Sequence, residues 1–227
     1  MSITGLKKKV YEILKRDDFP SRFRDLAEEL PLSKILKPLL SGICHTDEQL
    51  HWHAVSCVGE VVKQMAESEM ESARVVMRRF MWSLNDESGG IGWGVPEAMA
   101  ECLARHHALA EEYAHILVSF MREDGFFLEY EPLQAGLMWG VGRLAEVEPD
   151  LLRQKRADAF LLPYLDSPLP SVRGLAALAI GRLAPGGFPD KITRLLDDQR
   201  RFNYYQDRQI ISTSVADLAR QAAAPPF

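Results

Sequence analysis

The stretch 172-VRGLAALAIGRLAP-185 sets a small residue, Gly181, directly behind the apolar pair Ala179–Ile180. The same arrangement ends in Gly142 within 133-LQAGLMWGVGRLAEV-147 and in Gly59 within 50-LHWHAVSCVGEVV-62. Weaker copies end in Ala100 (91-IGWGVPEAMAECL-103) and in Ala219 (210-IISTSVADLARQA-222). The steps between 59, 100, 142, 181 and 219 are 41, 42, 39 and 38 residues. Within each copy the apolar residues recur at helical spacing, and β-branched alternation is nearly absent. A helical pattern with a period of about forty residues marks an array of stacked helix pairs, which bury their apolar faces against their neighbours.

Each copy is the second helix of a pair. Two capping helices are expected at about 4–16 and 21–30, the second bracketed by Pro20 and Pro31. Pairs follow at 33–44 with 48–66, 69–84 with 93–106, 109–122 with 131–146, 150–165 with 170–184, and 189–198 with 206–222. Asp47, Asp150 and Ser171 are candidate N-caps or near-caps. Pro96, Pro132 and Pro170 suit second-helix starts, whereas Pro38 and Pro163 should bend first helices. The expected domain is one array over 1–227, with 1–32 as cap and repeats at 33–66, 69–106, 109–146, 150–184 and 188–223.

Taking the small residue as position zero and turning 100° per residue, positions −8, −5, −4, −1 and +2 share one side. In the fourth copy these are Arg173, Ala176, Ala177, Ile180 and Leu183, a mostly apolar seam headed by an arginine. Positions −7, −3 and +1 share the opposite side. They read Trp52, Ser56, Glu60; Trp93, Glu97, Glu101; Ala135, Trp139, Arg143; Gly174, Leu178, Arg182; and Ser212, Ala216, Arg220. Three of the four tryptophans fall on this row, and the charge at +1 changes from Glu60 and Glu101 to Arg143, Arg182 and Arg220. Two arrangements fit: a groove with an aromatic floor, or indoles covered by the connections 85–94 and 123–131. The groove is the expectation taken forward.

The V-R-x-x-A-A-x-A-I-G-x-L wording of 172–183 resembles the HEAT-repeat consensus, in particular the short subtype of phycobilisome lyases. The resemblance covers about four-fifths of the chain as repeat architecture, and small bacterial HEAT proteins are similar. It implies an all-α, right-handed α-solenoid of about five to six helix pairs, with the tryptophan row on the concave surface and Arg173 reaching outward to water. HEAT arrays include scaffolds, lyases, a hydroxylase and DNA glycosylases, so the fold does not carry an activity. The hydroxylases bind iron through His-Glu pairs, and no His-Glu dipeptide occurs here.

Composition bounds the partners. The net charge is −5, and residues 47–131 hold sixteen acidic against six basic side chains, which argues against a general nucleic-acid binder. Three cysteines without a CxxC fit reduced thiols in a cytoplasm. The N-terminal lysines have no apolar run behind them, so no secretory signal or membrane span is expected.

Candidate chemistry is sparse. His45, His51 and His53 cluster with Cys44 and Asp47, but two histidines two residues apart on a helix point about 200° away from each other, so no metal is expected. His106 and His107 are read as ending a helix, where a cationic ring suits the dipole. The glycines of 85-NDESGGIGWG-94 could present N–H groups to an anion, although no GxxxxGK[ST] occurs. Glu97 and Glu101, one turn apart, can bind a basic segment or serve as an acid–base pair. The expected function is a non-catalytic scaffold without cofactor, binding a protein, peptide or small ligand. Trp52, Trp93 and Trp139 are the expected anchors, and Glu97, Glu101, Arg143 and Arg182 set the polarity. The alternative is an enzyme acting on a nucleobase or a tetrapyrrole.

Overall fold

The computed structural model describes residues 2–85, 91–184 and 190–224. Gly89 and Gly90 of the glycine-rich connection lie outside them. The chain divides into two compact units, Met1–His106 and His107–Phe227. It has the helical-repeat solenoid architecture that the forty-residue period implies. No helix among the described residues is long and apolar enough to cross a membrane.

Unit 1 contains α1 (Ile3–Leu14), α2 (Phe19–Glu29), α3 (Leu32–Gly42), α4 (Glu48–Ser68), α5 (Met70–Leu84) and α6 (Val95–Arg105). Asp47 caps α4, its carboxylate accepting from Leu50 N–H at 3.0 Å. Helix α4 is contacted by α1, α2, α3, α5 and α6, so both its flanks are closed. This explains why twelve of its residues are buried and why its apolar positions are not confined to one stripe.

Unit 2 contains α7 (His107–Ser119), α8 (Glu131–Ala145), α9 (Pro149–Gln154), α10 (Ala157–Leu161), α11 (Pro170–Leu183), α12 (Asp190–Thr193), β1 (Arg201–Gln206), β2 (Gln209–Ser214) and α13 (Val215–Ala223). The expected helix at 150–165 is broken. Arg156 takes a left-handed φ of 58° between α9 and α10, and a 3₁₀ turn over Leu162–Asp166 follows at Pro163. Asp150 and Ser171 are near-caps, lying in the first turns of α9 and α11. His107 opens α7 instead of ending a helix, and its Nδ1 meets Glu148 Oε1 at 2.7 Å.

The recurring small residue marks where the next second helix crosses. A Cβ on Gly59 would lie 2.6 Å from Glu101 Cγ of α6. One on Gly142 would lie 3.2 Å from Arg182 Nη1 of α11, and one on Gly181 2.5 Å from Ala222 Cα of α13. Close approach of successive second helices is thus what the period encodes.

The largest departure is at 206–214, where a helix is expected and an antiparallel hairpin forms, with Gln206 opposite Gln209. Asp207 and Arg208 both have positive φ, 49° and 65°, as a two-residue I′-type turn requires. The flanks RFNYYQ and QIISTS are rich in aromatic and β-branched residues, which favour a pleated, half-buried ribbon. Ser214 then starts α13 with a capping box to Asp217.

Arg173 also departs from expectation. Its side chain is buried, donates to Ser167 O, and pairs with Asp198 Oδ2 at 2.7 Å. Hydrogen bonds from Arg200 and Arg173 hold the Asp198 carboxyl well below the usual carboxylate range. An arginine heading a seam packed on both sides finds an internal partner more readily than water.

Candidate functional site

The structure separates the three row tryptophans. Trp52 is 9% exposed and Trp139 is 7% exposed, whereas Trp93 is 42% exposed. The expectation that all three line an open groove is corrected for Trp52 and Trp139. Trp139 is covered by the hairpin: its Nε1–H donates to Tyr205 O at 2.7 Å, and the two rings lie 6.3 Å apart. Phe202 of the same hairpin closes over Gly174, where a Cβ would lie 2.8 Å from Phe202 Cζ. Trp52 sits on α4, whose flanks are filled, with its ring edge-on to His51 at 4.9 Å. Trp93 is exposed because α6 starts at Val95, two residues beyond the expected helix start, so Trp93 belongs to the connection.

The polar row residues are engaged. In unit 1, Arg105 Nε donates to Glu101 Oε1 at 2.6 Å and its Nη1 to Glu60 Oε2 at 3.1 Å. In unit 2, Glu146 accepts from Arg143 Nη1 at 3.0 Å and pairs with Arg182 Nη2 at 2.5 Å. Burial lowers the Arg182 pKa, against the opposing pull of Glu146. Glu101, Arg143 and Arg182 therefore form ion-paired clusters within the stacks. They are not charges presented to an open channel.

Next to Trp93, the C-terminal end of α3 and the start of α6 meet His51 of α4. Gly94 caps α6 with φ 72°, and a Cβ there would lie 2.2 Å from Ile43 O, so glycine is required by both conformation and space. The same carbonyl accepts from His51 Nδ1 at 2.6 Å. On the opposite face of α4, His53 Nδ1 donates to Leu14 O at 2.7 Å, with its ring stacked on Phe19. The two histidines thus satisfy carbonyls at the C-terminal ends of α3 and α1. This agrees with their divergent directions, and no metal-holding group occurs among the described residues.

Glu97, in the first turn of α6, lies 4.0 Å from His51 Nε2 through Oε1, while its buried Oε2 has no hydrogen-bond partner. Burial pushes the Glu97 carboxyl up, opposed by His51 and by the backbone of its own turn. Cys44 Sγ donates to Trp93 O at 3.4 Å. Burial and then the Glu97 charge push its thiol up, the reverse of what a reactive thiolate needs. Cys44, His51, Trp93 and Glu97 thus meet at the start of α6, with the Cys44 thiol held in its protonated form.

The helical wheel did not bring Trp82 and Ile91 forward. Trp82 is 73% exposed near the C-terminal end of α5, and Ile91 is 46% exposed. Gly92, next to Ile91, lies against Ser83 O and Leu84 at the same end of α5. Trp82, Ile91 and Trp93 are therefore exposed around one connection. The signal in the sequence was Trp82 seven residues after Val75 on α5, a first helix that the tryptophan row did not include.

No protein-family model matches the chain. An uncharacterized protein of Archaeoglobus fulgidus is 26% identical over 206 residues, which cover 86% of this chain and 97% of that one. Among solved structures, computationally designed armadillo repeat proteins for modular peptide recognition superpose with a TM-score of 0.55 at 15% identity, covering 96% of this chain and 90% of that chain. A designed armadillo repeat protein in complex with the peptide (KR)4 gives 0.52 at 16% identity, over 95% and 97%. An engineered protein gives 0.53 at 16% identity, over 98% and 95%. These similarities show the fold, an armadillo-like stack of helical repeats.

Proposed function

We propose that the protein is a non-catalytic scaffold that recognises a polypeptide segment through unit 1, with Trp93 and Trp82 as anchors. The observation that carries the reading is the exposure of Trp82, Ile91 and Trp93 around one connection of a helical-repeat fold. Large aromatic surfaces facing water, with a buried carboxylate in the next helical turn whose Oε2 lacks a hydrogen-bond partner, are the features of a contact site. Designed proteins of the same fold bind peptides, which supports a polypeptide as the partner class. Trp52 and Trp139 hold the stack, and Glu101, Arg143 and Arg182 fix neighbouring helices, so the recognition role narrows to Trp93 and Glu97 of the expected row.

The test is selection of a random peptide library displayed on phage against the full chain, with re-measurement on a Trp82→Ala/Trp93→Ala variant. Selected peptides should weaken by about 2 kcal/mol or more on the variant, with its melting unchanged. Equal binding to both forms would place recognition elsewhere. Failure of any sequence to enrich would remove the polypeptide reading.

A further inference from the structure

Unit 2 carries a cavity of about 500 Å³ away from the tryptophan row, between the connection after α7 and the short elements before α11. Its floor is apolar, built by Met121, Phe127, Phe160, Pro163 and Tyr164. Its walls are tied. Leu128 N–H donates to Phe120 O at 3.1 Å, Gln134 Nε2 to Leu128 O at 2.9 Å, and Tyr164 Oη to Met121 O at 3.2 Å. Such a cleft keeps its shape without a ligand, which lowers the ordering cost of binding.

The charge of the lining is one-sided. Glu123, Asp124 and Glu131 face a single cation, Arg122. That guanidinium is held by Asp124 through contacts of 2.9 and 2.7 Å and lies 4.9 Å over the Phe160 ring. The floor therefore already accommodates a cation on an aromatic face. Glu123 and Glu131 have no cationic partner among the groups that line the cavity. The Glu123 charge also reaches the Tyr164 hydroxyl, which burial first and Glu123 second push up.

We infer that this cleft is a second docking site, for a partner-protein segment that places an apolar side chain on the floor and flanking Lys or Arg side chains at Glu123 and Glu131. The inference rests on the scaffold reading for its class of partner, and it uses none of the residues assigned to unit 1. An apolar residue alone would leave the rim carboxylates unmatched. A cation alone would leave the floor hydrated.

The probes are fluorescein-labelled peptides of sequence KRFKR and KRGKR, titrated at low salt against the full chain. KRFKR should bind about tenfold tighter than KRGKR, and the Met121 methyl resonance should shift on titration. Charge reversal at the exposed pair Glu123→Lys/Glu131→Lys should weaken KRFKR about tenfold or more, and Phe127→Ala about fivefold, with melting retained. Trp82→Ala/Trp93→Ala should leave KRFKR affinity unchanged. Binding that survives both cleft variants, equal affinity for the two peptides, or no saturation up to about 1 mM would overturn the assignment. Loss of KRFKR binding only in the unit 1 variant would overturn the cleft while leaving the scaffold reading intact.

Discussion

The two units solve one packing problem with opposite charges. In unit 1 two glutamates, Glu60 and Glu101, share Arg105; in unit 2 two arginines, Arg143 and Arg182, share Glu146. The shared partner sits on the later helix in unit 1, and at the C-cap of the earlier helix in unit 2. The sign change at +1, read from sequence as the polarity of a groove, is instead two internally paired clusters. The units differ most in what covers the row. Unit 2 lays its own hairpin over Trp139 and Gly174, whereas unit 1 leaves Trp93 exposed. A repeat position thus fixes where helices touch, and the connections fix which surface remains free.

The strongest way to sharpen this contrast is to truncate one indole in each unit. Trp139→Ala removes a buried ring and leaves the Tyr205 carbonyl without its donor, and should cost about 3–5 kcal/mol in urea unfolding. Trp93→Ala removes an exposed ring from a connection and should stay within about 1 kcal/mol of the parent. Similar costs for the two would mean that Trp93 is as structural as Trp139. Near-neutrality of Trp139→Ala would mean that the hairpin does not hold the stack.

A smaller contrast lies in the repeat glycines. Alanine at Gly181 would meet the backbone of Ala222, which cannot rotate away, and should cost about 1–3 kcal/mol. Alanine at Gly142 would meet the Arg182 guanidinium, a flexible end, so a helix-propensity gain of about 0.5–1 kcal/mol should offset most of the clash. Gly59 falls between them, since side-chain atoms of both Glu101 and Arg105 would have to shift. Chemical unfolding of the three single variants gives the order, and Gly142→Ala as the most damaging would break the link between the period and the helix crossing.

These glycines also show how far the sequence was legible. The period located the second helices because a close helix crossing requires a small residue at one fixed position, a local and repeated constraint. The row carried no information on cover, because Trp52 and Trp139 obey the same spacing whether water or protein faces them. The hairpin was hidden because its alternation spans only six residues a side and its turn uses Asp207 and Arg208 rather than Asn-Gly. The exposed patch was half visible. Trp93 was found on a helical argument although it lies off the helix, and Trp82 was missed because attention went to second helices.

The smallest effect concerns Glu97. Both buried side-chain atoms without hydrogen-bond partners among the described residues, Glu97 Oε2 and His106 Nδ1, belong to unit 1. Burial raises the Glu97 carboxyl pKa above its ordinary value of 4.5, so the folded state disfavours the charged form. Whatever stability this group allows is fully present below about pH 4.5 and is lost as pH rises through the raised folded value. Glu97→Gln keeps the shape and removes the charge. Its melting temperature should match the parent or fall slightly below it near pH 4, then exceed it by a growing margin toward pH 8, as thermal unfolding across that range would record. A deficit of constant size at every pH would mean that the carboxylate is satisfied in the folded state. The exposed Trp93 of unit 1 would then have no unsatisfied carboxylate oxygen on the helix that follows it, and the contrast with the covered row of unit 2 would rest on exposure alone.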